Sequence, residues 1–159
     1  MKRFLSLLLV FAVCLSAATA QSTIFIVRHA EKAGDGGNDP DLSDLGRARA
    51  ETLANMLKDA GISAIYVTEF KRTQQTAAPL AKALGITVTT LPAKDNAALV
   101  AKLRASNGNA LVVGHSDTIP DLIKALGISE PINIAENDYD NLFAVVLDEK
   151  PHLIRLHYR

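Results

Sequence analysis

Three amphipathic segments of this chain end on the same two letters, and that punctuation constrains the fold more than any other feature. Leu53, Met56, Leu57 and Ala60 recur at i, i+3, i+4 and i+7, as do Ala77, Leu80, Ala81 and Leu84, and again Ile119, Leu122, Ile123 and Leu126. This spacing stacks apolar side chains on one face of an α-helix. Each segment runs into glycine followed by isoleucine, at Gly61-Ile62, Gly85-Ile86 and Gly127-Ile128. Glycine just past a helix end takes the left-handed cap conformation without a Cβ penalty. A weaker helix is predicted over Asn96 to Ala105. Between the helices stand "TIFIV", "SAIYV", "ITVTTL" and "ALVV", short β-branched or apolar runs that read as strands.

Strands alternating with helices predict an α/β fold, a mostly parallel sheet flanked by helices on both faces. The tail "NLFAVVLDEKPHLIRLHY" departs from the alternation: two strand-like runs flank Asp148-Glu149-Lys150-Pro151. They predict a C-terminal hairpin forming an antiparallel edge. No repeat, low-complexity tract or linker interrupts the region, so one domain is expected over residues 21–159. Its polar stretch "GDGGNDPDLSDLG" is expected to be a loop leading to a helix capped by Ser43 or Asp44.

The first twenty residues are read as a secretory signal rather than as fold. Lys2 and Arg3 precede an apolar stretch from Phe4 to Leu15, and Ala18-Thr19-Ala20 follows. That order predicts cleavage between Ala20 and Gln21. The apolar stretch is shorter than the ~20 residues that span a bilayer. Lipid anchoring through Cys14 is the weaker alternative, because Phe11-Ala12-Val13 suits that processing poorly. The expected product is exported, periplasmic or secreted, with no stable membrane insertion after cleavage. Cys14 is the only cysteine and leaves with the signal, so the remainder enters an oxidising compartment with no thiol for a disulfide or a soft metal. The full chain balances 17 basic against 17 acidic residues, and losing Lys2 and Arg3 tips it slightly acidic. Nucleic acid and anionic membranes are therefore not expected as partners.

In parallel α/β sheets, ligands bind beyond the carboxyl ends of the strands. "IFIV" ends in Arg28-His29, "ALVV" ends in Gly114-His115-Ser116-Asp117, and "SAIYV" continues through Thr68-Glu69-Phe70 to Lys71-Arg72. Taken singly, Arg72 reads as a solvated surface arginine and His29 as a strand-end core histidine. Together they place two histidines and two arginines at one sheet edge. Arg72 starts the helix "RTQQTAAPLAKAL", where a cation opposes the helix dipole unless an anion intervenes. Phosphate fills that position readily. The set suits phosphoryl transfer, whose anionic transition state needs positioning and positive charge. Nearby guanidiniums disfavour imidazolium, keeping His29 neutral and able to attack phosphorus.

The segments "VRHAEK", "LSDLGRARAETLA", "EFKRTQQTAAPLA" and "VVGHSDTIP" occur in the order that characterises the histidine phosphatase superfamily, in its phosphoglycerate-mutase-like branch, and the chain resembles that family from about Ile24 to Leu126. The resemblance implies that His29 is the phosphohistidine-forming nucleophile and that Arg28, Arg72 and His115 bind the phosphoryl group. It implies hydrolysis of a small phosphorylated substrate with no metal and no cofactor. Two departures stand out. Mutases of the family carry an acid-donor glutamate in an insertion after the second arginine, where this chain has only "GITVTTLPAKDNAALV". Acid-phosphatase relatives place aspartate directly after the second histidine, where Ser116 stands here. Asp117, Asp95 and Glu31 remain as candidate proton donors. The short loops imply an open pocket without a lid.

Two rival functions fit parts of the pattern. His29-x-Glu31 and His115-x-Asp117 each resemble a pair of metal ligands, although Arg28 beside the first would repel a cation. An exported phosphate-binding module would share the anion pocket without turnover.

Overall fold

The computed structural model describes residues 21–34 and 37–159. The predicted export signal over 1–20, with Cys14, lies outside the described residues. The elements follow in the order β1 (Ser22–Arg28), α1 (Asp44–Leu57), β2 (Ile62–Thr68), α2 (Lys71–Leu84), β3 (Thr89–Leu91), α3 (Asn96–Ala105), β4 (Asn109–Gly114), α4 (Ile119–Ala125), β5 (Asn141–Leu147) and β6 (His152–His157). Six strands form one sheet in the order β3-β2-β4-β1-β5-β6. Strands β1 to β4 are mutually parallel, β5 runs antiparallel to β1, and β6 returns antiparallel along β5. The expected α/β fold with its C-terminal antiparallel hairpin is present.

The strands alternate their side chains between two cores, as the pleat requires. Ile24, Ile26, Ala110, Val112, Phe143 and Val145 face α3 and α4, where Leu99, Leu103, Ile119, Leu122, Ile123 and Leu126 cover them. Val27, Ile65, Val67, Leu111 and Val113 face the opposite side and meet Leu53, Leu57, Ala77 and Leu80 of α1 and α2. Both faces of β1 and β4 are thus buried, which explains why these strands read as continuous apolar runs.

Two details differ from the sequence expectation. Along α1 the buried stripe is Gly46, Ala50, Leu53, Ala54 and Leu57, while Met56 is 45% exposed and Ala60 lies beyond the helix. The face is rotated because α1 begins with its first turn pressed onto the backbone of Glu31. A Cβ on Gly46 would stand 2.2 Å from the Glu31 carbonyl oxygen. In "ITVTTL" only Thr89–Leu91 pairs as strand. Ile86 is retained by the end of α2, its N–H bonding to the Ala81 carbonyl beside Gly85 at φ 66°.

Candidate active site

Three adjacent strands, β1, β4 and β2, deliver the expected residues to one edge. The pairing of Arg28 with Gly114 brings the ends of β1 and β4 level, and the His29 N–H continues the ladder to the Gly114 carbonyl at 2.9 Å. His29 and His115 consequently face one another, with ring centroids 5.4 Å apart and planes inclined by 61°. Both are buried, as is Arg28.

The segment after His29 is held by α2. The Ala30 N–H donates to Thr76 Oγ1 at 2.9 Å, and that hydroxyl donates to the Arg72 carbonyl. Gln75 accepts from the Leu42 N–H and donates to Asp41. The polar positions of "RTQQTA" therefore bind the loop after His29 to the helix that carries Arg72. Ser43 caps α1, accepting from the Gly46 N–H at 3.1 Å.

His29 is set up as a base. Its Nδ1 lies 2.8 Å from the Ala30 carbonyl oxygen, an acceptor only, so the neutral ring carries its proton on Nδ1. Nε2 then keeps its lone pair and has no protein partner among the described residues. Burial above all, then the charge of Arg28 and the neighbouring His115 and Arg72, lowers the pKa of His29 to about 3, against an opposing contribution from the Ala30 hydrogen bond. The sequence pointed to the arginines as the cause; desolvation outweighs them. His115 is lowered to about 4, again chiefly by burial and then by Arg72, with Asp117 and Glu69 opposing. Its Nε2 lies 3.0 Å from Thr68 Oγ1, which in turn is 3.0 Å from Thr73 Oγ1. That hydroxyl pair fixes the ring from the end of β2.

Each arginine is braced by an aromatic ring. Arg28 stacks on Tyr139 at 4.2 Å and donates through Nη1 to the carbonyls of Ala135 and Glu136 at 3.1 and 2.7 Å. Arg72 stacks on Phe70 at 4.2 Å, and the Phe70 ring meets His115 edge-on at 5.3 Å. Both guanidiniums retain a buried Nε–H with no partner among the described residues. Unpaired buried donors are uncommon in folded proteins, and two beside a pair of neutral histidines leave capacity for an anion to accept. Helix α2 has no capping side chain of its own. Asp39 supplies the cap instead, accepting from the Lys71 N–H at 3.0 Å.

The three carboxyl groups expected as proton donors stand in different places. Glu31 is not drawn to the histidine pair: Arg49 grips it through Nε and Nη2 at 2.6–2.9 Å, and the same arginine donates to the Tyr158 carbonyl. Asp95 caps α3, accepting from the Ala98 N–H. Asp117 is exposed and acts on His115 through its charge. With Glu31 committed to Arg49, the two His-x-acid pairs do not converge, and among the described residues no three histidine, cysteine or acidic side chains cluster as metal ligands. Phe70, Thr68, Thr73, Tyr139 and Asp39 were not singled out from sequence. Tyr139 and Asp39 carry no local signal, since their neighbours in the site are remote in the chain.

Comparison with known proteins agrees with the motif reading. The sequence model of the histidine phosphatase superfamily (branch 1) matches residues 24–98. A probable phosphoglycerate mutase GpmB of Yersinia enterocolitica is 35% identical over 75 residues, which are 43% of this chain and 35% of that protein. The match thus spans about a third of the curated relative's length. Among solved structures, the protein histidine phosphatase SixA complexed with tungstate superposes with a TM-score of 0.68 at 25% identity, over 85% of this chain and 96% of that one. A phosphoserine phosphatase mutant from Entamoeba histolytica in complex with phosphoserine gives 0.65 at 16% identity, over 86% and 96%, a likeness of fold.

Proposed function

We propose that this chain of the histidine phosphatase superfamily hydrolyses small phosphomonoesters through a phosphohistidine on His29. The observation that carries the reading is the state of that ring: neutral, its Nδ1–H donating to the Ala30 carbonyl, with its Nε2 lone pair unengaged among the described residues. Around it, the Nε–H groups of Arg28 and Arg72, without a partner among the described residues, suit the equatorial oxygens of a transferring phosphoryl group. Nε2 attacks phosphorus, the P–O bond to the leaving group breaks, and water later displaces His29 to release phosphate. His115, its ring centroid 5.4 Å from that of His29, holds the transferring group in place. Neighbours of like fold that carry tungstate or phosphoserine support a small phosphorylated substrate.

Rapid quenching with a labelled phosphomonoester should trap the phosphoenzyme, labile in acid and stable in alkali. His29→Ala should lose both label and turnover while remaining folded, whereas His115→Ala should slow labelling without moving it. Label on His115, or turnover surviving in His29→Ala, would reverse the two roles. Binding of phosphate with no turnover and no label would favour a non-catalytic module instead.

The order of basic, apolar and small residues in the first twenty positions supports export, to the periplasm or beyond, with cleavage before Gln21. Mass spectrometry of the protein from its own host should find a chain beginning at Gln21; an intact N-terminus in the cytoplasmic fraction would refute it.

A further inference from the structure

Departure of an alkoxide from phosphorus needs a proton at the leaving oxygen, and among the carboxyl groups near the site one stands apart. Glu31 pairs with Arg49 and Asp95 caps α3, and among the described residues neither of these nor Asp117 comes within ion-pair distance of Arg28 or Arg72. Asp39 lies beside Arg72, its side chain 38% exposed, with Oδ1 3.7 Å from Arg72 Nη1 and 3.0 Å from the Lys71 N–H. Among the described residues it is the only carboxylate within ion-pair distance of either arginine of the histidine pair. Arg72 therefore presents one edge to Asp39 and keeps its buried Nε–H for another anion. A phosphoryl group bound there would be separated from Asp39 by little more than the width of a guanidinium. Asp39 is also 32 residues from Lys71 in sequence, so its position at the head of α2 is built by the loop rather than by local propensity.

We propose that Asp39 is the general acid and base of the reaction, an assignment that rests on the phosphohistidine reading above. A phosphate dianion arriving at Arg72 would share that cation with Asp39, whose Oδ1 stands 3.7 Å from Arg72 Nη1. As His29 Nε2 bonds to phosphorus, the P–O bond to the leaving group breaks, its electron pair stays on that oxygen, and Asp39 gives its proton there. Asp39, now a carboxylate, accepts a proton from water as the water oxygen bonds to phosphorus. The P–N bond then breaks, and its electron pair returns to Nε2. Asp39 and His29 end as they began.

The test compares wild type with Asp39→Asn on two substrates, 4-nitrophenyl phosphate, whose leaving group needs little protonation, and glycerol phosphate, whose alkoxide needs it fully. Asparagine retains an oxygen to cap Lys71, and a matching melting curve verifies the fold. In single-turnover labelling, Asp39→Asn should form phosphohistidine from 4-nitrophenyl phosphate within about threefold of the wild-type rate, and from glycerol phosphate about 10²-fold or more slowly, the scale of general acid catalysis. Once formed, the label should persist in the variant, because water has lost its base. An equal loss on both substrates would make Asp39 a mere anchor of the loop, and no loss on either would remove it from the chemistry; both overturn the proposal while leaving the phosphohistidine in place. Absence of label in wild type would instead strike down the phosphohistidine reading, and this assignment with it.

Discussion

Acid should unfold this protein through its own active site. His29 is held at about 3 and His115 at about 4, each against 6.5 for a free imidazole. Because both pKa values are lowered on folding, the unfolded chain binds the extra protons between those values and 6.5, so stability rises with pH in that window and is lost as pH falls through it. Linkage sets the size: at about pH 4.5 each histidine withdraws about 2–3 kcal/mol relative to about pH 8, and the pair about 5 kcal/mol. A domain of this length has about 5–15 kcal/mol in all, so the pair alone can remove a large share of it. Urea unfolding followed by far-UV circular dichroism at those two pH values measures the loss. Carboxylates titrate at the lower end too, so the comparison that isolates the histidines is a His29→Gln, His115→Gln double variant measured at the same two points. The variant should lose several kcal/mol less than wild type across the interval, whatever its stability at about pH 8. Equal losses in the two proteins would show that the histidines are not held neutral by the fold, and the argument for His29 as a ready nucleophile would go with them.

Two substitutions test the surroundings. Arg72→Ala should lower turnover about 10²–10³-fold, the cost of one preorganised transition-state donor; Arg72→Lys should recover little of it, because an ammonium reproduces neither the fork nor the stack on Phe70, and full activity in the lysine variant would show that net charge suffices. Gly46→Ala should destabilise the fold by about 1–3 kcal/mol or more, since the new methyl meets the Glu31 carbonyl oxygen at 2.2 Å and backbone, not a flexible side chain, must yield. A melting temperature equal to wild type would mean that α1 moves away freely.

The fold was legible where one physical rule acted alone. Ile119, Leu122, Ile123 and Leu126 are all buried as their spacing demands, and Gly85 and Gly127 both take positive φ at their helix ends. The hairpin turns over Asp148 to Pro151, between β5 and β6. The rule weakened where two acted together. Met56 has the spacing of a core residue, but the start of α1 is fixed by contact with Glu31, and that contact turns Met56 outward. Ile86 has a strand former's side chain, yet its N–H is needed to close α2. Neither conflict can be weighed from the letters alone, because each is decided by a partner distant in the chain.

The same division runs through the site. That Arg28, His29, Arg72 and His115 would meet was legible because strand ends and a helix start are visible in sequence, and β1, β4 and the head of α2 bring them together. What orients them was hidden. Arg28 is gripped by carbonyls of Ala135 and Glu136, atoms every residue possesses, so no side-chain pattern could announce them. His115 is fixed through Thr68 and Thr73, ordinary residues for the end of a strand and the start of a helix. Glu31, one of the three candidate donors, is turned to Arg49 for a related reason. Its closeness to His29 in the chain suggested closeness in chemistry, but alternate residues leaving a strand diverge, and Arg49 lay where Glu31 was directed. Asp39 shows the converse: ten residues from His29 along the chain, it comes back to the site because α2 offers it an uncapped N-terminus and an arginine. A short polar loop with several carboxylates sorts them by which donors they can reach, and here Asp41 is taken by Gln75 while Asp39 is taken by the head of α2. Proximity in sequence therefore located the histidine pair and its arginines, while charge pairing across the fold decided which carboxylate stands beside them.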